Sequence, residues 1–197
     1  MSTPKEIGLF FGSFNPIHIG HLILANYMLE YTSMQELWFV VSPQNPFKES
    51  SSLLPEIHRY AMVDRAIEGD HRFKASNIEF NLTKPSYTTD TLAHLIEKHP
   101  NYTFSLIMGE DNLTNLHKWK NAENLVKNHK IYVYPRPGSK PGKFNNLENI
   151  HLLNAPQIEI SASFIRKAIK DKKDISWYLP KGAWQYIDEM GFYKNDI

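Results

Sequence analysis

Short apolar runs that alternate with amphipathic runs constrain this chain more than any other feature. "EIGLFF" (6–11) and "ELWFVVS" (36–42) read as buried strands, and "FKASNIEF" (73–80) reads as extended. "YTFSLIMG" (102–109), "KIYVYPRPG" (130–138), which ends in a turn, and "NIHLLNAP" (149–156) read as further strands. Helical spacing falls between them. Residues 20–32 place Leu22, Ala25 and Leu29 on one side, and Pro55 opens a helix that Gly69 closes. Residues 88–100, the stretch around 119–129, then 161–171 and 180–191 complete the set, the last with Gly191 as its C-cap. Strand and helix in alternation predict an α/β fold, a doubly wound parallel sheet with helices on both faces. At 197 residues the chain is read as one domain, 1–197.

Composition narrows the chemistry. There is no cysteine, which excludes disulfides, thiolate catalysis and cysteine zinc sites. A balance of 22 basic against 21 acidic residues argues against a broad nucleic-acid footprint. The N-terminal stretch has no signal-peptide pattern, and no run of about 20 apolar residues appears that could span a membrane. A cytoplasmic enzyme is the expectation, without nucleic-acid or membrane partners. Formation of a homo-oligomer is left open.

Ligands of such sheets bind outside the carboxyl ends of the strands. The unusual residues fall there, at 12–21, 43–48, 109–111 and 135–138. "FFGSFNPIHIGH" (10–21) sets His18 and His21 around Gly20 where a strand passes into a helix. Gly12 allows close backbone approach. Free N–H groups and the dipole of a helix start favour an anion, to which imidazoles donate, more strongly when protonated. The bland reading makes both histidines turn and cap residues. A zinc reading needs a third ligand that the spacing does not supply. Neither a glycine-rich dinucleotide fingerprint nor a P-loop is present. "ISASFIRKAI" (160–169) offers Ser161, Ser163 and Arg166 at a second helix start, which alone reads as a serine cap beside a solvated arginine.

Together, "GSFNPIHIGH" and "ISASFIR" resemble the H-x-G-H and I-S-x-[ST]-x-x-R signatures of the nucleotidylyltransferase superfamily. "KPSYTTDTL" (84–92), "IMGEDNLTNLHKWKN" (107–121) and "YPRPG" (134–138) are similar to segments of bacterial nicotinate-nucleotide adenylyltransferases. The resemblance covers essentially the whole chain and implies a Rossmann-like fold. Four positions depart from the family pattern. Phe11 stands for a frequent glycine, Asn15 for a frequent aspartate, "NPFK" (45–48) for P-P-H-[KR], and Ser163 for threonine.

The resemblance implies transfer of the adenylyl group of ATP to nicotinate mononucleotide, with Mg²⁺ arriving on ATP. It implies catalytic roles for His18, His21 and Arg166. It implies ATP contacts at Gly12, Ser13, Phe14, Gly20, Gly109, Asp111, Arg136, Ser161 and Ser163. It implies acceptor contacts at Lys48, Thr88, Trp119 and Lys120. Adenylyl or cytidylyl transfer to another phosphate acceptor, such as phosphopantetheine, stays open, as do a non-catalytic nucleotide-binding module and, last, a zinc hydrolase.

Overall fold

A computed structural model describes residues 4–43, 53–83 and 85–194. Lys48 and most of the proline-rich stretch around it lie outside the described residues. The chain folds as a Rossmann-like α/β structure. Among the described residues, the strands are β1 (Lys5–Gly12), β2 (Glu36–Val41), β3 (Phe73–Ser76), β4 (Tyr102–Gly109), β5 (Ile131–Tyr134) and β6 (Ile150–Leu152). They form one parallel sheet in the order β3-β2-β1-β4-β5-β6. The helices are α1 (Ile19–Tyr31), α2 (Glu56–Ala66), α3 (Thr88–Lys98), α4 (Glu110–Asn115), α5 (Ala122–Asn128), α6 (Ala162–Lys170) and α7 (Lys181–Met190).

Side chains alternate across each strand, so the sheet carries two cores. Phe10, Phe39, Ile107 and Tyr134 pack with α1, α2, α6 and α7 on one face. Ile7, Leu9, Leu106 and Met108 pack with α3, α4 and α5 on the other. Strand order reverses between β1 and β4, which pair from Lys5↔Tyr102 to Phe10↔Ile107. Chain leaving β1 turns to one face as α1, while chain leaving β4 turns to the other as α4. The carboxyl ends of these two strands therefore part around a crevice.

Several boundaries differ from the sequence reading. The 73–80 stretch pairs only through Ser76, and Ile78–Asn81 forms a 3₁₀ turn. The strand of 130–138 covers Ile131–Tyr134 and then gives way to the expected turn, because "PRPG" cannot continue a ladder. A short helix, α4, follows β4 at once, and α5 starts only at Ala122, after Asn121 in a left-handed conformation (φ 54°). The buried residues of α1 include Leu24, Ala25 and Met28, whereas Leu22 and Leu29 are only partly covered. Helix α2 ends at Ala66, and Gly69 serves the following turn at φ 92°. Gly191 caps α7 as expected, at φ 67°, with the Phe192 N–H returning to the Ile187 carbonyl at 3.0 Å.

One buried cation ties the loops above the sheet together. Arg59 of α2 is fully buried. Its guanidinium donates to the carbonyls of Ser13 (2.6 Å), Ser42 (2.8 Å), Pro43 (2.8 Å) and Leu54 (2.8 Å). Planar, forked donors suit this task, and a lysine offers fewer and less directed bonds. Arg59→Met leaves four buried oxygens without these donors, at about 1 kcal/mol or more each. The expected outcome is a loss of about 4 kcal/mol and a Tm lower by about 10 °C, with Arg59→Lys in between. Thermal melts check this, and an unchanged Tm for the methionine variant contradicts it.

Candidate active site

The crevice is built first from β1. After Gly12 the chain turns at Phe14, whose φ is 45°. A Cβ on Gly12 would lie 2.7 Å from the Phe14 ring, so this glycine makes room for that ring. Phe14 is buried and meets the ring of His21 edge-on, with centroids 5.2 Å apart. His18 is the N-cap of α1 and His21 lies in its first turn. The His18 backbone N–H donates to His21 Nδ1 at 3.1 Å. In a neutral imidazole that leaves the proton on His21 Nε2. The two rings stack with centroids 3.7 Å apart. A Cβ on Gly20 would sit 3.1 Å from His18 Nδ1, so glycine at this position gives the first imidazole its place.

His18 is 6% exposed, and its Nδ1 is buried without a hydrogen-bond partner among the described residues. Buried polar atoms are seldom left this way, and such an orphan points to a ligand. Burial, helped by the charge of Arg136, lowers the His18 pKa to about 4. Burial, then the charges of His18 and Arg136, push His21 well below its ordinary value. Both shifts favour the neutral rings at pH 7 before a ligand arrives, so the stronger donation of protonated imidazoles would require the ligand itself to bring the protons on.

The second arm comes from the far end of the chain. Ser161 caps α6 by accepting from the Phe164 N–H at 3.1 Å. Arg166, in the second turn of α6, donates to the Asn15 carbonyl at 2.8 Å and to Ser163 Oγ at 3.3 Å. These two acceptors are uncharged, so the guanidinium keeps its charge for an anion. The Asn15 side chain is held as well, by the Tyr193 hydroxyl at 2.6 Å. A Cβ on Gly20 would also lie 3.5 Å from Ile158, just ahead of α6. The imidazole pair and the serine–arginine helix start therefore share one crevice.

Beyond β4, a side chain on Gly109 would collide with Asp111 and Arg136. Asp111 is exposed, with its carboxylate 3.9 Å from Arg136 Nε. The Arg136 backbone N–H donates to Glu110 at 3.1 Å, and its guanidinium lies over the Tyr134 ring. Thr88 at the start of α3 and Trp119 line a small cleft with Phe11, Met108 and Asn112, which Phe10, Ile107 and Tyr134 of the first core also border. The Lys120 ammonium pairs with Asp90 at 2.9 Å, over the ring of Tyr87.

With this geometry in view, comparison with known proteins is direct. The model of the cytidylyltransferase-like family matches residues 9–168. A probable nicotinate-nucleotide adenylyltransferase of Christiangramia forsetii is 56% identical, over 96% of this chain and 99% of that relative. One of Bacteroides thetaiotaomicron is 44% identical, over 95% of this chain and 93% of that relative. This chain belongs to the nicotinate-nucleotide adenylyltransferase family. In fold it is similar to the Plasmodium falciparum nicotinic acid mononucleotide adenylyltransferase complexed with NaAD. That match has a TM-score of 0.78 and 24% identity, over 96% of this chain and 98% of that one.

In this family member, two structural supports of the site went unread in the sequence. Arg59 looks like any surface arginine of an amphipathic helix until the fold buries it. Glu79 is 3% exposed and accepts from Thr91 Oγ1 at 2.8 Å, and the hydroxyls of Ser42 and Ser86 also bond it. It thus ties the first turns of α3 to the end of β2. Burial raises its pKa despite those bonds.

The imidazole pair makes the fold sensitive to acid. Unfolded, each histidine titrates near its ordinary value of 6.5, whereas folded His18 does so only near 4. Below pH 6.5 the unfolded chain binds more protons, so stability is complete above that pH and falls as pH drops toward about 4. For His18 the displacement is worth roughly 3 kcal/mol. Thermal melts between pH 7.5 and 4.5 are expected to fall more steeply for the native chain than for the His18→Asn, His21→Asn double variant. Equal slopes contradict neutral burial.

Proposed function

We propose that this chain transfers the adenylyl group of ATP to nicotinate mononucleotide, giving nicotinate adenine dinucleotide and pyrophosphate. The observation that carries the reading is the junction of Arg166 with the Asn15 carbonyl beside the unpartnered His18 Nδ1. It gathers donors suited to a polyphosphate from opposite ends of the sequence. The family relatives named for this reaction support it.

The acceptor brings its own nucleophile. A phosphate monoester has a second pKa of about 6 and is largely dianionic at neutral pH, so no general base is needed. An acceptor oxygen bonds to the α-phosphorus of ATP, and the bond from that phosphorus to the bridging oxygen breaks. Pyrophosphate leaves in line, without a covalent intermediate. The protein's work is alignment and charge neutralisation.

Each group has a task in this scheme. His21 Nε2–H and the His18 imidazole contact the triphosphate. A polyanion beside them favours their protonated forms, so ATP binding and proton uptake are linked. Arg166, Ser161, Ser163 and the free N–H groups of α6 hold the β and γ phosphates. Gly12, Ser13, Phe14 and Gly20 shape the loop beneath. Gly109, Asp111 and Arg136 face the nucleoside, where Asp111 accepts from the ribose hydroxyls. Magnesium enters on ATP, held by phosphate oxygens and water. Trp119 is the platform for the pyridine ring, the N–H groups near Thr88 and Lys120 receive its carboxylate, and Lys48 is assigned to the acceptor phosphate.

Pyrophosphate release from ATP tests this with three acceptors: nicotinate mononucleotide, nicotinamide mononucleotide and pantetheine phosphate. The expected order puts the nicotinate nucleotide first. Preference for pantetheine phosphate, or no release with any acceptor, overturns the reading. His18→Ala is expected to lower kcat by about 10²–10³, as for loss of one donor at developing charge. Asp111→Ala is expected to raise the ATP KM roughly tenfold, with kcat little changed. Steady-state kinetics of the purified variants check both.

A further inference from the structure

Phe11 is the residue that neither the phosphate chemistry nor the nucleoside contacts use. It is the penultimate residue of β1, a strand whose central positions are fully covered, yet it is only partly buried. By strand alternation it shares its face with Ile7 and Leu9, opposite Phe10, and it packs on the same core edge as Trp119. Phe11 and Trp119 line one cleft, with Thr88 of α3, Asn112 of α4 and Met108 of β4. This cleft lies toward the ends of β1 and β4, where Phe10 and Ile107 border it, and reaches Tyr134 of β5. Its walls are mostly apolar and aromatic, and its polar members, Thr88 and Asn112, lie in the first turns of two helices. Flat rings bind in this kind of setting, with a few polar groups fixing their orientation.

We propose that Phe11 forms the second wall of the acceptor's pyridine subsite and sets its selectivity for a flat aromatic ring. This rests on the reading of nicotinate mononucleotide as acceptor. The ring lies between the Phe11 and Trp119 side chains, with its carboxylate toward the start of α3. A chain with glycine at this position would keep only the tryptophan wall. Phe11 touches the acceptor but not the reacting atoms, so it acts on acceptor affinity and leaves the phosphoryl step and ATP binding alone.

The test combines Phe11→Ala, Phe11→Leu and Phe11→Tyr with two readouts: steady-state kinetics in each substrate, and direct titration of nicotinate mononucleotide into the protein. Leucine keeps apolar bulk on the core edge but removes the aromatic face, which guards against a variant that merely folds poorly. The alanine and leucine variants are expected to raise the KM and Kd for nicotinate mononucleotide by on the order of tenfold to a hundredfold, the range for losing an aromatic stacking partner. Their ATP KM stays within about twofold, and tyrosine restores acceptor affinity. The proposal is overturned if leucine matches the native chain. It is equally overturned if the ATP and acceptor constants rise together, or if tyrosine fails to rescue. Should the native chain neither bind nor use nicotinate mononucleotide, the functional reading fails with it. Native turnover together with an indifferent leucine variant sinks only the role of Phe11.

Discussion

The bond from Arg166 to the Asn15 carbonyl joins two ends of the chain that lie 151 residues apart. Without it α6 would be an amphipathic helix resting on the sheet, and the loop after β1 would be an ordinary connection. The bond works because the loop is already fixed from other sides. The Ser13 carbonyl is held by Arg59, and the Asn15 side chain by Tyr193. Each tie consumes a loop oxygen, and His18 Nδ1 stays buried without a hydrogen-bond partner among the described residues. A loop fixed in advance needs no rearrangement when charge develops on a ligand, and such preorganisation is the main contribution a protein can make to this kind of reaction.

Charge state follows from the same packing. Arg136 bears electrostatically on both imidazoles. Protonated rings beside it would place like charges together in a poorly solvated pocket, which is costly. Neutrality resolves that conflict in the free protein. A polyphosphate reverses the balance, since it neutralises the arginines and rewards protons on the rings. In the proposed reaction the imidazoles thus change their electrostatic role only when substrate is present. Surface cations in their place would stay charged and attract anions without discrimination.

The sheet was legible in the sequence because buried strands announce themselves as apolar runs, and their alternation with helices leaves few topologies. The histidine segment stood out by the chemistry of its residues, whereas the serine–arginine segment read alone as an ordinary cap and became legible only through the resemblance of the pair to the family signatures. Boundaries that depend on backbone chemistry were less so. Asn121 takes a left-handed conformation and delays α5, while α4 is too short to show a periodicity. Arg59 and Glu79 stayed hidden for a different reason. Local sequence gives a charged residue on an amphipathic helix, or in an extended run, no mark of burial. Their partners, four carbonyls for one and three hydroxyls for the other, come together only in the tertiary structure. Gly12 illustrates a related point: glycine signals a close approach but does not say what approaches, and the ring of Phe14 is one such neighbour.

Phe10 and Phe11 are adjacent in β1, and strand alternation sends them to opposite faces of the sheet. Phe10 lies in the core beneath the imidazole pair, with His21 edge-on to its ring at 6.0 Å. Phe11 faces the cleft of Trp119 and Thr88. The end of one central strand therefore bears on both halves of the site. For in-line transfer this matters more than any single contact, because the nucleophile and leaving group must approach one phosphorus from opposite sides. A rigid parallel sheet whose helices diverge at its centre supplies that opposition through topology. In the proposed reaction the acceptor side could then change at Phe11 without disturbing the phosphate side.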